Sequence, residues 1–298
     1  MEKILITGGA GFIGSHITDI LIENGYSVLV ADNYSNKNSG YRNESAEYIE
    51  TDILSPHFED VFREFAPDFC IHLAAQASVA LATKDPEYDA MQNIIGSIKV
   101  LELCKKYGVK KVIAASSAAV YGNPKYLPVD ENHSTEVLSQ YGLSKLTMEK
   151  YIKLSGVDYI IFRFANVYGE RQTAEGEAGV VAIFNSKMKN NEQIFINGDG
   201  EQTRDFVYVK DVASAVLCGV KSDIKNETVN VSTNKAVSIN ELFRVMASVY
   251  CYNLPPIHNE ARIGDIKHSI LNNEKLRKLF SISEYCDHHT GLRALAGF

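Results

Sequence analysis

No excess of basic residues marks this chain: its 30 Lys and Arg are outnumbered by 37 Asp and Glu, for a net charge of −7. That balance excludes the basic footprint of a nucleic-acid or anionic-membrane binder, so any anionic ligand must be met by a few locally placed cations. Long apolar runs are missing as well, and none reaches the length of a membrane span. The first apolar stretch, at residues 4–7, is too short for a signal-peptide core and reads as a strand running into a glycine turn. Cysteine is sparse and unpatterned. Cys70, Cys104, Cys218, Cys251 and Cys286 form neither a CxxC nor a metal-like spacing, so the expectation is buried thiols in a reducing cytoplasm and no metal. Internal repeats and low-complexity tracts are also lacking. What is present is a 298-residue chain, 45% hydrophobic and 22% charged, long enough for one large α/β domain with a smaller appendage.

Buried-strand patterns fall at residues 3–7, 27–32, 69–74, 111–116 and 158–164, and helical periodicity fills residues 13–23, 93–107 and 141–155 between them. Apolar strands separated by helices predict a doubly wound parallel sheet of the Rossmann kind, covered on both faces. The helices over 93–107 and 141–155 carry more apolar residues than one sheet face can cover, which calls for a further partner. After about residue 171 the alternation loosens. A strand at 229–231, a helix over 238–250 and the Pro255-Pro256 pair suggest a smaller C-terminal α/β lobe. The expected division is a cofactor domain over 1–170 and a substrate lobe over 171–298, partly interleaved with it.

Between the first strand and first helix lies Thr7-Gly8-Gly9-Ala10-Gly11-Phe12-Ile13-Gly14. Glycines at 8, 11 and 14 permit a tight turn and a close backbone approach to a pyrophosphate at a helix N-terminus. Such a pattern is weak alone, but Asp32 answers it at the end of the second strand, 18 residues after Gly14. A carboxylate there accepts both ribose hydroxyls and repels a 2′-phosphate. No arginine follows directly, so NAD is expected rather than NADP. Asp52 either reaches the adenine or caps the next element.

Ser117 closes a strand, and Tyr141 and Lys145 stand four apart on one helical face, so both can enter the same cleft. A phenol beside an ammonium is drawn toward the phenolate and can act as a base, with Ser117 donating to the same substrate oxygen. A Tyr-x-x-x-Lys alone is more often a surface aromatic beside a solvated lysine.

The series Gly8 to Gly14, His72-Leu73-Ala74-Ala75-Gln76, Asn93, Ser116-Ser117-Ala118-Ala119-Val120-Tyr121-Gly122, Tyr141 with Lys145, and Arg163-Phe164-Ala165-Asn166-Val167-Tyr168-Gly169 runs in a familiar order. It resembles the extended short-chain dehydrogenase/reductase family, in its NAD-dependent epimerase/dehydratase group, and within that the UDP-sugar 4-epimerases. The resemblance implies an isomerase that oxidises a UDP-hexose at C4, lets the 4-keto sugar turn, and reduces it on its other face, with NAD regenerated in each cycle. It implies that Phe12, Ile13, Asn33, Ile53, Leu73, Ala74, Ala75 and Asn93 join the glycines, Asp32 and Asp52 around NAD, with Tyr141 and Lys145 at the nicotinamide end. Gln76, Ser117, Asn166, Gly179, Val180, Arg204, Arg262, Asp265 and Ser269 would meet the nucleotide sugar, the arginines clamping its diphosphate. It also implies a homodimer through the helices over 93–107 and 141–155.

Ala118 and Ala119 stand where dehydratases and decarboxylases of the group carry an acid, and a methyl group cannot transfer a proton. Ser269 stands where a tyrosine would fill the space that an N-acetyl group needs. Ala80 and Ala82 replace polar residues of many relatives, and residues 281–298 resemble the usual closing helix only faintly. Two rival readings remain: another nucleotide-sugar enzyme on the same scaffold, or a dinucleotide-sensing protein without chemistry, which would have little reason to keep Ser117, Tyr141 and Lys145 together.

Overall fold

The structure is a computed structural model and describes every residue except 36–39, 175–178, 262–263, 265, 283–284 and 298. Its strands are β1 (Lys3–Thr7), β2 (Ser27–Asp32), β3 (Glu47–Glu50), β4 (Phe69–His72), β5 (Lys111–Ser117), β6 (Tyr159–Phe164), β7 (Asn166–Tyr168), β8 (Phe195–Asn197), β9 (Thr203–Arg204), β10 (Phe206–Tyr208), β11 (Glu227–Val231), β12 (Val237–Ser238), β13 (Ile257–Asn259) and β14 (His268–Ser269). The helices are α1 (Phe12–Glu23), α2 (Phe58–Phe65), α3 (Val79–Lys84), α4 (Pro86–Ala90), α5 (Gly96–Lys106), α6 (Gln140–Leu154), α7 (Val180–Lys189), α8 (Val209–Lys221), α9 (Ile239–Tyr250), α10 (Glu274–Phe280) and α11 (His288–Ala296).

Seven parallel strands form one sheet in the order β11-β6-β5-β4-β1-β2-β3. This is the doubly wound sheet expected from the apolar runs. Because side chains alternate across a strand, Ile4 and Ile6 enter the core beneath α1 and α8, while Leu5 enters the opposite core with Phe62, Val100 and Ile152. The order reverses between β1 and β4, and the crevice above that switch point is where such a fold takes its ligand.

The helix expected over 93–107 opens with a wide π turn at Met91–Ile95 before α5 begins. Asn93 lies in that turn and is buried. Strand β11 joins the main sheet beside β6, so the chain returns to the first layer after leaving it. The other late elements gather around a separate core of Val181, Phe184, Ile194, Leu242, Met246 and Leu292. Residues 281–298, faint in sequence, do include a closing helix. Asp287 caps α11 by accepting from the Thr290 N–H at 3.0 Å, and Leu292 and Leu295 bury its inner face. Among the described residues no helix is long and apolar enough to cross a membrane.

Candidate active site

A cavity of about 590 Å³ opens above the switch point. It brings together Gly8, Gly11, Phe12, Ile13, Gly14, Asp32, Asn33, Ile53, Leu73, Ala74, Ala75, Gln76, Tyr141, Lys145 and Gly179 from the residues expected by sequence.

Its glycine turn has three different jobs. A Cβ on Gly8 would fall 2.6 Å from the Ala74 nitrogen, and one on Gly14 would fall 2.6 Å from the Gly9 Cα, so both allow close packing of turn, strand and helix. A Cβ on Gly11 would meet only the Gly8 carbonyl, at 3.4 Å, and would otherwise occupy the space of the cavity. Gly11 is also the N-cap of α1 and offers no side chain to the first-turn N–H groups, which suits a ligand that brings its own oxygens. Asp32 pins this turn by accepting from the Ala10 N–H at 3.0 Å and the Tyr34 N–H at 2.9 Å. These residues fit a dinucleotide.

Other expected residues stand behind the wall. Asp52 accepts from Asn33 Nδ2 and from the Leu54 N–H, both at 2.8 Å, and buttresses Asn33 while its neighbours Thr51 and Ile53 line the cavity. Asn93 is 1% exposed and donates from Nδ2 to the Gln76 carbonyl, Asp89 and Ser144 Oγ. The Gln76 side chain is likewise engaged with Asp89 and the Ser78 backbone. Asn166 begins β7, Val180 begins α7, and Arg204 and Ser269 lie on β9 and β14 of the second lobe. None of these four lines the cavity. Arg262 and Asp265 lie outside the described residues.

The Ser-Tyr-Lys constellation forms because α6 starts hard against the turn that follows β5. Ser139 caps α6 by accepting from the Gly142 N–H at 3.1 Å, and a Cβ on Gly142 would fall 2.7 Å from the Ala119 carbonyl oxygen. Only glycine lets the helix approach so closely, and this brings Tyr141 to Ser117. Lys145, one turn on, donates to the Ala115 carbonyl at 3.0 Å.

The electrostatics depart from the expectation that Lys145 alone draws the phenol down. Burial is the largest influence on Tyr141 and holds its pKa above the ordinary value; the Ser117 hydroxyl pulls the other way, and Asp89 pushes it up further. Burial also lowers Lys145 to about 8, against the opposing pull of Asp89 and Glu149. His72, buried between Thr7 Oγ1 and Ser97 Oγ, is pushed by burial to about 3 and is neutral.

Sequence reasoning missed several residues here. Asp89 and Glu149 are buried carboxylates beside the constellation, and Arg171, Gln172 and Thr173 line the cavity from the second lobe. Arg42, ten residues beyond Asp32, lies over the rings of Tyr34 and Tyr48, 5.0 and 5.2 Å from their centroids. Glu149 had a readable signal, since it continues the four-residue spacing of Tyr141 and Lys145.

Fold and site together define a dinucleotide-dependent enzyme of the short-chain dehydrogenase/reductase kind. Residues 4–232 match the model of the NAD dependent epimerase/dehydratase family, and the chain belongs to that family, with NAD as its cofactor. It is 46% identical over 281 residues to a putative UDP-glucose 4-epimerase of Methanocaldococcus jannaschii, covering 93% of this chain and 92% of that one. Among solved structures, the UDP-glucose 4-epimerase of Thermotoga maritima with UDP-glucose superposes with a TM-score of 0.95 at 40% identity, covering 99% and 97% of the two chains. The UDP-N-acetylglucosamine 4-epimerase of Methanobrevibacter ruminantium with UDP-N-acetylmuramic acid gives 0.93 at 34% identity, over 99% and 97%.

Proposed function

We propose that this chain is an NAD-dependent UDP-hexose 4-epimerase acting on UDP-glucose and UDP-galactose and on their N-acetyl forms. The observation that carries the reading is that Tyr141 and Lys145 line the cavity and the Ser117 hydroxyl reaches the Tyr141 phenol, with Ala118 and Ala119 in place of an acid. Epimerisation at C4 needs one oxidation and its reversal, and no second proton-transfer group beside the serine.

The glycine turn and Asp32 hold the cofactor's pyrophosphate and ribose, with Ile53, Leu73 and Ala74 along its length. When bound, NAD supplies reversible two-electron oxidation at the sugar's C4. Tyr141 takes the proton of the C4 hydroxyl and later returns it, and Ser117 donates to the same oxygen. Lys145 holds the nicotinamide ribose and, as an ammonium, favours the Tyr141 phenolate. Arg204, Arg262 and Asn166 hold the diphosphate, Asp265 the nucleoside ribose, and Gly179, Val180 and Ser269 the remaining wall. Gln76 and Asn93 serve by shaping the loop below the sugar.

Residues 1–170 act as the cofactor domain, and residues 171–298 mainly bind the nucleotide sugar. The chain works as a homodimer in the cytoplasm. Exposed Met91, Ile95, Leu143, Tyr151 and Leu154 make an apolar face on the π turn and α6 that a second copy would cover.

The test is incubation with each of the four UDP-sugars, without added NAD, and separation of the products. Interconversion within each C4 pair is expected. Release of a keto, dehydrated or reduced sugar would replace this reading with another reaction of the family.

A further inference from the structure

Three segments that line the cavity are tied together along one stripe of α1. They are the first turn of α1 (Phe12 and Ile13), the loop after β2 (Asn33 and Ser35) and the loop after β7 (Arg171, Gln172 and Thr173). His16 and Asp19 stand three apart on α1 and so share a face. His16, 5% exposed, donates from Nε2 to the Glu170 carbonyl at 2.9 Å, since a carbonyl oxygen can only accept. Asp19 takes the next residue: its Oδ2 accepts from Arg171 Nη2 at 2.8 Å. Oδ1 of the same carboxylate accepts from Asn43 Nδ2 at 2.7 Å and from the Tyr41 hydroxyl at 3.3 Å, both on the loop after β2. The Arg171 guanidinium also lies against the Tyr41 ring, 3.4 Å from its centroid. One carboxylate therefore joins a loop of the cofactor domain to a loop of the second lobe.

A lone exposed ion pair is worth little. Here the Arg171 and Asp19 side chains are only 26% and 19% exposed, the carboxylate has three donors, and an aromatic face covers the cation. Arg171 reaches this place in the left-handed region, at φ 66°, which a residue with a Cβ adopts only at a cost. The loop after β2 is braced as well, by Arg42 over the Tyr34 and Tyr48 rings and by the Asn43 N–H donating to the Tyr48 hydroxyl at 2.9 Å. We propose that Asp19, Tyr41 and Arg171 form a latch between the two lobes, which must open for NAD to enter or leave the cavity. The proposal rests on the 4-epimerase reading for its purpose: an enzyme that returns the hydride to the same sugar gains nothing by releasing its cofactor between the two steps. The latch itself can be measured with NAD alone.

The experiment measures NAD exchange in the full chain. Chasing bound, isotopically labelled NAD with unlabelled NAD gives the release rate, and rapid filtration after adding labelled NAD to the emptied chain gives the entry rate. Asp19→Asn keeps an acceptor for Asn43 and Tyr41 but loses the charge that holds Arg171, and Tyr41→Leu removes the ring. Both should raise entry and release together, by on the order of tenfold. Kd should change much less, because a gate is crossed in both directions. Adding Arg171→Leu to Asp19→Asn should speed exchange little further, since the latch is already open. Faster release with unchanged entry would make Arg171 a plain cofactor contact and overturn the latch. Unchanged rates beside a loss of stability would also overturn it, leaving a structural pin. Fast exchange in variants of a chain that interconverts no UDP-sugar would sustain the latch and sink the 4-epimerase reading instead.

Discussion

Glu149 and Arg163 face each other in a buried bidentate pair, 1% and 5% exposed at the side chain, one helical turn beyond Lys145. The guanidinium also lies over the Tyr121 ring, 4.8 Å from its centroid. The pair fastens α6 to β6, and Ser116 fastens it to β5, so the helix carrying Tyr141 and Lys145 is held to the strand carrying Ser117. Removing one partner leaves the other charged and buried. Arg163→Met should therefore lower stability by about 3–5 kcal/mol. Adding Glu149→Leu should recover a large part of that loss, because the stranded charge goes with it. Denaturant titration of the singles and the double checks this, and additive losses would refute it.

The base is the second point of attack. Tyr141→Phe removes the group proposed to take the C4 proton and should lower kcat by several orders of magnitude while NAD stays bound. Gly142→Ala strikes the same residue from behind, since its methyl group would meet the Ala119 carbonyl and push α6 away from Ser117. It should lower kcat with little effect on cofactor content. Steady-state rates with absorbance of bound cofactor read both outcomes, and near-normal turnover in Tyr141→Phe would remove the mechanism.

Burial sets an unusual lysine into the cavity. An amine with an ordinary pKa near ~10.4 is almost wholly protonated at neutral pH, whereas Lys145 is lowered to about 8. The neutral, nucleophilic form therefore gains population as pH rises through about 8, well before surface lysines follow. Acylation of the cofactor-free chain, read peptide by peptide in a mass spectrometer, should show Lys145 labelling with a midpoint near that value. NAD should protect it. A Lys145 profile that tracks the exposed lysines would contradict the burial argument.

Much of this site was legible because backbone requirements and motif order leave marks in sequence. Gly8, Gly11 and Gly14 announced the turn, and the four-residue spacing of Tyr141 and Lys145 announced a shared face. Strand patterns placed β1 and β2 at the ends observed. The π turn at Met91–Ile95 left no such mark, since one extra residue per turn hardly alters an apolar pattern. Asp89 was also hidden, and Arg163, although it opens one of the motif runs, gave no sign of its burial. A single Asp or Arg among 67 charged residues reads as surface until the fold buries it. Strand β11 looked like part of the later lobe because nothing local tells a strand which sheet it will join.

Cofactor choice turns on Asp32. Its carboxylate lines the cavity and is fixed by two backbone N–H groups, so a 2′-phosphate would meet a charge that cannot swing aside. Cofactor extracted from the purified protein should be NAD. Asp32→Ala should weaken NAD and narrow its preference over NADP, as the nearby Arg42 guanidinium gains influence once the carboxylate is gone. Fluorescence titration with both dinucleotides measures the ratio, and an unchanged ratio would place the discrimination elsewhere.

The sugar-choice role proposed for Ser269, which pairs in parallel register with Arg204 on β14 and β9, can be tested directly. The side chain is small and only partly buried, and in the proposed reading it leaves room for the sugar beside the arginine proposed to hold the diphosphate. A sugar oxidised at C4 must turn within the pocket before it is reduced again, so added bulk at this wall obstructs the bound sugar and its rotation alike. Ser269→Tyr should cut turnover of UDP-GlcNAc and UDP-GalNAc by at least tenfold, roughly the 1–3 kcal/mol scale of a steric misfit, and spare UDP-glucose and UDP-galactose. Paired kcat/KM values on the four substrates decide it. Equal losses on both pairs would show that other walls set the fit.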